Sequence, residues 1–249
     1  DKTTGDLADT VQTDDTGFAQ SRELPLSTYI VSEKSSPYGF TLNTHPYEVT
    51  LSYAGGEVQV TYSEVTIPEY PQVGTVTIEK LDSVTGSAAQ GDSTLAGAVF
   101  EIWNESKTEV VDTLYCGSQA KATSKELPLG NYFYREQVPP AGYTHDPTFY
   151  PVSITYEGQN VSVVKRYGDV RNKVIQGKIA LVKHTDEPDE DVAPSNPQVE
   201  QPLEGAVFEI YRKAAGNYDK AKESERDRLT TNSDGYCESK WLPYGWYTV

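Results

Sequence analysis

Apolar side chains in this chain recur at every second position over short runs rather than at helical spacing, a pattern that predicts strands. In the central hundred residues the alternating runs are 75–80, 98–103, 109–115, 131–136, 149–156, 160–165 and 168–174, bounded by Gly, Pro, Asn and Asp. About seven short strands in roughly 100 residues predict an all-β antiparallel sandwich with Greek-key-like connections, and no βαβ pattern competes. The best helical stretch, Ala214 to Leu229, is dominated by charge and has hardly any apolar stripe. It is expected to be an exposed loop or one short surface helix.

The pattern repeats. Leu24-Pro-Leu-Ser-Thr-Tyr29, Leu127-Pro-Leu-Gly-Asn-Tyr132 and Leu242-Pro-Tyr-Gly-Trp-Tyr247 match one another. Glu33 to Phe40 matches Glu136 to Tyr143, and Tyr47 to Tyr53 matches Tyr150 to Tyr156, at a constant offset of 136 − 33 = 150 − 47 = 103. The front of the unit also occurs twice, from Gly74 to Ile102 and from Gly177 to Ile210. Tandem self-similarity of this kind marks a module array. The expected organisation is the back of one module over 1–72, a whole module over 73–174 and the front of a third over 175–249, a slice of a longer tandem array. The third copy reaches its Leu-Pro turn 12 residues late (115 − 103), in part through the acidic, Pro-bearing stretch around Asp186, Glu187, Asp189, Glu190 and Asp191. That stretch lacks the Gly-bearing ligand spacing of a calcium-binding loop and is expected to be a solvated insertion.

Composition narrows the functional classes. The 37 acidic and 21 basic residues give a net charge of −16. Such a surface repels phosphate backbones and anionic membranes, so no nucleic-acid or membrane partner is expected. No apolar stretch approaches the ~20 residues of a spanning helix. The chain has no Met and no signal-peptide pattern at Asp1, which suits a piece of a longer, processed protein.

Three polar residues break the alternation in an informative way. Lys80 ends the face carrying Val76 and Ile78, Glu136 lies on the side of Tyr132 and Tyr134, and Asn172 lies with Val170 and Val174. If the three converge inside the sandwich, desolvation favours the neutral amine and the protonated carboxyl over their charged forms. An uncharged lysine is a nucleophile and the amide carbon of Asn172 an electrophile, while Glu136 is placed to relay a proton to departing ammonia. The product would be a Lys80–Asn172 isopeptide bond, made feasible by apposition in the fold. That is one event per molecule and not an enzyme activity.

The linked motifs, from the Gly-x-(Val/Ile)-x-(Ile/Leu)-x-Lys opening strand through Leu-(Ala/Glu)-Gly-Ala-Val-Phe-Glu-Ile, Leu-Pro-x-Gly-x-Tyr and Glu-x-x-x-Pro-x-Gly-Tyr to Val-x-Asn, resemble the collagen-adhesin B-type (CnaB, SpaA-like) domains of Gram-positive adhesins and pilins. The resemblance covers essentially the whole chain. It implies tandem prealbumin-like β-sandwiches on the outside of a bacterium, cell-wall attachment through a sortase signal elsewhere, and an intradomain Lys–Asn bond assisted by Glu. The family's trio falls on Lys80, Asn172 and Glu136. In the first copy Glu33 matches Glu136, but Glu69 (172 − 103) stands where the Asn belongs; in the third, Lys183 matches Lys80. A structural stalk is the leading expectation, with neighbouring repeats as partners. A module that itself recognises a host matrix protein or glycan is the alternative.

The remaining reactive residues point nowhere specific. His45, His145 and His184 are not at equivalent repeat positions and have no Cys/His ligand spacing around them, so neither metal nor cofactor is expected. Cys116 and Cys237 are inequivalent too and are expected to be lone, partly buried thiols.

Overall fold

A computed structural model describes residues 1–185 and 201–249, so the acidic insertion from Asp186 to Asp191 lies outside the described residues. The strands are β1 (Thr28–Val31), β2 (Phe40–Thr41), β3 (Tyr47–Thr50), β4 (Tyr70–Pro71), β5 (Val73–Asp82), β6 (Val99–Asn104) and β7 (Val110–Tyr115). They continue with β8 (Lys121–Thr123), β9 (Leu127–Pro128), β10 (Gly130–Val138), β11 (Tyr150–Ile154), β12 (Val163–Asn172) and β13 (Gln176–Gly177). The last are β14 (Ala180–Val182), β15 (Val207–Arg212), β16 (Arg226–Thr230), β17 (Tyr236–Glu238), β18 (Leu242–Pro243) and β19 (Tyr247–Thr248). The helical content of the described residues is two single-turn 3₁₀ segments, Lys213–Ala215 and Glu223–Glu225.

The described residues fall into two compact units. One comprises Asp1–Thr75, Glu126–Gly130 and Ile154–Lys165; the other comprises Val76–Lys125, Asn131–Ser153 and Arg166–Val249. In the first, β1 pairs antiparallel with β3 and β2 with β4. The Leu-Pro motif explains itself here: the Tyr29 hydroxyl donates to the Pro25 carbonyl at 2.7 Å, and Tyr247 does the same to Pro243 at 2.8 Å. A ring four residues downstream thus closes each corner and satisfies a carbonyl that leaves the ladder.

The middle repeat is built on two four-stranded sheets, β11-β10-β6-β7 and β12-β5-β8 with β9 also on β5. Strand β5 shows strict alternation, with Gly74, Val76, Ile78, Lys80 and Asp82 all buried and their neighbours half-exposed. Ile78, Phe100 and Ile102 are fully buried, and Val170 is 1% exposed. Strands β6 and β10 run in register from Asn104↔Tyr132 to Phe100↔Glu136, and the register shifts immediately after Glu136. Such a bulge re-aims a side chain.

Two expectations need correction. Runs 160–165 and 168–174 are one strand, β12, because Gly168 does not break it; its missing side chain makes room for Tyr134, whose hydroxyl would lie 2.5 Å from a Cβ there. The segment 214–229 is neither wholly loop nor helix. Its last residues form β16, with Leu229 buried opposite Phe208, Asp227 on the same face opposite Ile210, and Arg226 and Arg228 on the other face. With Ile210, Cys237 and Leu242, Leu229 makes the small core of the third repeat.

Candidate functional site

Lys80, Glu136 and Asn172 come from β5, β10 and β12, and all three are buried: 0%, 0% and 2% exposed. The Asn172 Nδ2 donates to Glu136 Oε2 at 2.6 Å, and the Asp146 backbone amide donates to the same oxygen at 2.9 Å. The Lys80 Nζ donates to the carbonyls of Leu81 (2.9 Å) and Val170 (3.0 Å), the second only two residues from Asn172 on the same strand. The amine is therefore held against the strand that carries the amide. Glu136 Oε1 and Asn172 Oδ1 are buried with no hydrogen-bond partner. Unsatisfied polar atoms in a core are costly and mark sites kept for a reason other than packing.

Burial pushes the Lys80 ammonium below its usual range, and the nearby charges of Glu136, Asp82, Cys116 and Asp146 only partly oppose this. The buried Cys116 thiol is pushed up to about 11, chiefly by desolvation, with Lys80 pulling down and Glu136 pushing up. Both cysteines are free and buried, so neither is half of a bridge.

Around the trio lie residues that the sequence reading passed over. Asp82 accepts from the Val84 and Thr85 amides, from Gln90 Nε2 and from the Tyr143 hydroxyl at 2.9 Å. Burial raises its pKa, but these donors outweigh it and hold the carboxyl below its ordinary range. The Tyr143 ring lies 5.6 Å from Lys80 Nζ. The signal was available: Asp82 is two residues beyond Lys80, hence on the same face of the strand. The imidazole Nε2 of His145 sits 3.0 Å from the Glu136 carbonyl oxygen, and the Tyr150 hydroxyl donates to Asp146 at 2.6 Å.

The first repeat carries the same framework with different chemistry. The Asn43 amide N–H donates to Glu33 Oε2 at 2.6 Å, as the Asp146 amide does to Glu136. In place of the Asn amide, however, stands Glu69. Its Oε2 is buried without a donor, and the carboxyl is hydrogen-bonded to Glu33, a contact that requires a proton between them. Desolvation, then that bond and the charge of Glu33, push Glu69 up to about 7. The third repeat's Lys183 is exposed, unlike Lys80. Of the histidines, His45 packs edge-on against Tyr47 at 4.8 Å and His145 and His184 are exposed.

This architecture defines a class: tandem prealbumin-like β-sandwiches with a buried Lys, Glu and Asn in the central one. A family model described as the SpaA prealbumin-like fold domain matches residues 1–66, 74–167 and 195–249, and the chain belongs to that family. Among solved structures, the Bacillus anthracis TIE protein is 26% identical with a TM-score of 0.60 over 95% of this chain. That overlap is 38% of the TIE protein chain, so this chain spans well under half of its relative. A streptococcal ancillary pilin is 19% identical (TM-score 0.32; 90% of this chain, 65% of that one). The shaft pilin SpaA of Lactobacillus rhamnosus GG is 17% identical (TM-score 0.31; 67% and 82%). No curated protein matches the chain.

Proposed function

We propose that this chain is a stretch of the structural stalk of a Gram-positive cell-surface adhesin or pilin-like protein, and that its central module is stiffened by a self-formed Lys80–Asn172 isopeptide bond. The modules are 1–72, 73–174 and 175–249, the outer two incomplete within this chain, and the parent protein is anchored outside the cell. The observation that carries the reading is the buried contact between the Asn172 amide nitrogen and Glu136 at 2.6 Å, with the Lys80 amine held on Val170 of the same strand.

The step balances as follows. The neutral Lys80 amine attacks Cγ of Asn172; Glu136 takes a proton from the attacking nitrogen and delivers one to the departing amide nitrogen; an amide bond forms, the Cγ–Nδ2 bond breaks, and one ammonia leaves. No oxidant or cofactor enters. Burial lowers the Lys80 pKa and so supplies more of the uncharged nucleophile at neutral pH. The fold supplies proximity, which is the larger part of what a sluggish amidation needs.

Joining β5 to β12 ties the first long strand of the module to its last. It closes a loop of 172 − 80 = 92 residues, which by analogy with disulfide closure stabilises by about 4–5 kcal/mol. Tension on the module then loads a covalent bond rather than a hydrogen-bond ladder.

The test is the intact mass of the purified chain beside Lys80→Ala, Glu136→Ala and Asn172→Ala, followed by peptide mapping. A deficit of one ammonia, lost in each variant and mapped to Lys80 and Asn172, is the expected result. A full, unmodified mass in the wild-type chain defeats the cross-link.

A further inference from the structure

The turn of residues 90–93 in the second repeat is gripped by the third. Asp92 N donates to the Tyr244 carbonyl at 2.8 Å, and Trp246 N donates back to Asp92 Oδ2 at 2.7 Å. The Arg212 guanidinium reaches Asp92 Oδ1 through Nε at 2.8 Å and Nη2 at 2.6 Å, and Glu225 Oε2 at 3.4 Å. Glu225, only 3% exposed, accepts the Gly91 amide on its other oxygen at 3.1 Å. The chain between the repeats is tied in as well, through Ile175 N to the Gly142 carbonyl (2.8 Å) and Tyr244 N to the Ile175 carbonyl (2.7 Å).

The contact is too close for ordinary side chains. Gly91 has φ +59°, and a Cβ there would lie 2.2 Å from the Tyr244 carbonyl oxygen. A Cβ on Gly142 would lie 2.6 Å from the Ser93 Cβ and 2.7 Å from the Tyr244 ring. Glycine at both positions lets backbone meet backbone.

The grip is built by a feature that separates the third copy from the second. The hairpin between β6 and β7 has five residues, 105–109, whereas its counterpart between β15 and β16 has thirteen, 213–225. The longer hairpin brings Glu225, and Arg212 stands where the second repeat has Asn104 (212 − 108). The second repeat therefore lacks the pair that grips Asp92. Charged hydrogen bonds are strong and directional, and the Trp246 amide together with Arg212 holds the Asp92 carboxyl below its ordinary range.

From this geometry we infer that Asp92, Arg212 and Glu225 lock the second and third repeats into one rigid joint, an interaction surface whose partner is the next module of the same chain and which fixes the order of those two modules. The inference stands apart from the cross-link, because none of its residues touches the buried trio.

Amide hydrogen exchange on the full chain tests it. The informative amides are residue 92 and Tyr244, whose acceptors are backbone carbonyls; the Lys80 and Ser239 amides, bonded to Ala120 and Ile179, report whether each repeat stays folded. In the wild-type chain residue 92 and Tyr244 exchange at least ~100-fold slower than unstructured amides, and Asp92→Ala speeds both by ~10-fold or more while Lys80 and Ser239 are unchanged. Gly91→Ala, whose methyl meets the Tyr244 carbonyl and whose φ of +59° also strains the turn itself, gives the same pattern. The inference is overturned if the two wild-type amides exchange at unstructured rates, if both substitutions leave them protected, or if Ser239 loses protection in step with Tyr244. An intact-mass measurement on the same samples reads the cross-link independently.

Discussion

Replacing Glu69 by glutamine probes the first repeat through the pH dependence of its stability. Glu69 shares a proton with Glu33, and its pKa in the folded chain is about 7 against an ordinary value of 4.5. A folded pKa raised above the unfolded one means that the carboxyl favours folding while protonated. The contribution is complete below about pH 4.5 and is lost as pH rises through about 7, where a second negative charge must enter a half-buried site beside Glu33. At about 1.4 kcal/mol per unit the gap sets a ceiling of about 3 kcal/mol, and solvent reaching the half-buried carboxyl reduces it to about 1–2 kcal/mol. Glutamine keeps the shape, donates to Glu33 as Asn172 donates to Glu136, and never ionises. Thermal unfolding of wild-type and Glu69→Gln chains between pH 5 and pH 8.5 reads the effect. The two melt together at pH 5, and the variant melts about 5–10 °C higher at pH 8.5, given a few degrees per kcal/mol for a domain of this size. A difference that is flat with pH, or that favours the wild type at high pH, refutes the shared proton.

Other perturbations follow from packing. Phe100→Ala empties a fully buried position opposite Glu136, and is expected to cost about 3–5 kcal/mol in chemical denaturation; a cost under about 1 kcal/mol would show that the site collapses freely. Gly168→Ala places a methyl where the Tyr134 hydroxyl lies, 2.5 Å away, and so forces the ring off its stack on Tyr150 at 5.2 Å. An expected loss of about 1–3 kcal/mol is measured the same way, and Tyr134→Phe should recover part of it. Cys116 and Cys237 are both buried, and Cys116 has its pKa pushed up to about 11, so a thiol reagent at pH 8 should label neither until denaturant is added. Rapid native labelling at Cys116 would place it outside the core.

Much of this was legible in the sequence because period-2 alternation is a local signal. Val76, Ile78 and Lys80 occupy one face whatever else the chain does, and the burial of all three follows once that face is turned inward. Asn172 with Val170, and Glu136 with Tyr134, are read the same way. The groups that surround this trio were not legible, since they depend on which strands and loops meet. Nothing local says that the Asp146 amide points at Glu136 or that Cys116 lies near Lys80. The run from Arg226 to Thr230 was hidden for a different reason: it carries a single buried apolar residue, Leu229, among charges that only pairing with β15 makes compatible with a strand. Arg212 and Glu225 were invisible as a pair because their shared target, the turn at Gly91 and Asp92, belongs to another repeat.

Comparing the first two repeats separates what the framework demands from what the chemistry adds. In both, a glutamate after the Leu-Pro corner, on β10 in the second repeat and two residues past β1 in the first, accepts a backbone amide ten residues on, Asn43 to Glu33 and Asp146 to Glu136. That contact is architectural. The two side chains around it are exchanged: the second repeat has a carboxyl at 146 and an amide at 172, whereas the first has an amide at 43 and a carboxyl at 69. Asn43 spends its amide on the Pro68 carbonyl and the Tyr47 hydroxyl, at 2.9 and 3.1 Å, and leaves none for Glu33. A buried carboxylate must be balanced. Glu136 has an amide donor and a lysine nearby, while Glu33 has a second carboxyl and must share a proton with it. One fold thus holds the equivalent glutamate in two settings, fully buried beside an amide electrophile and an amine in the second repeat and half-buried in an acid pair in the first, and the residue at 69 or 172 is what differs between them.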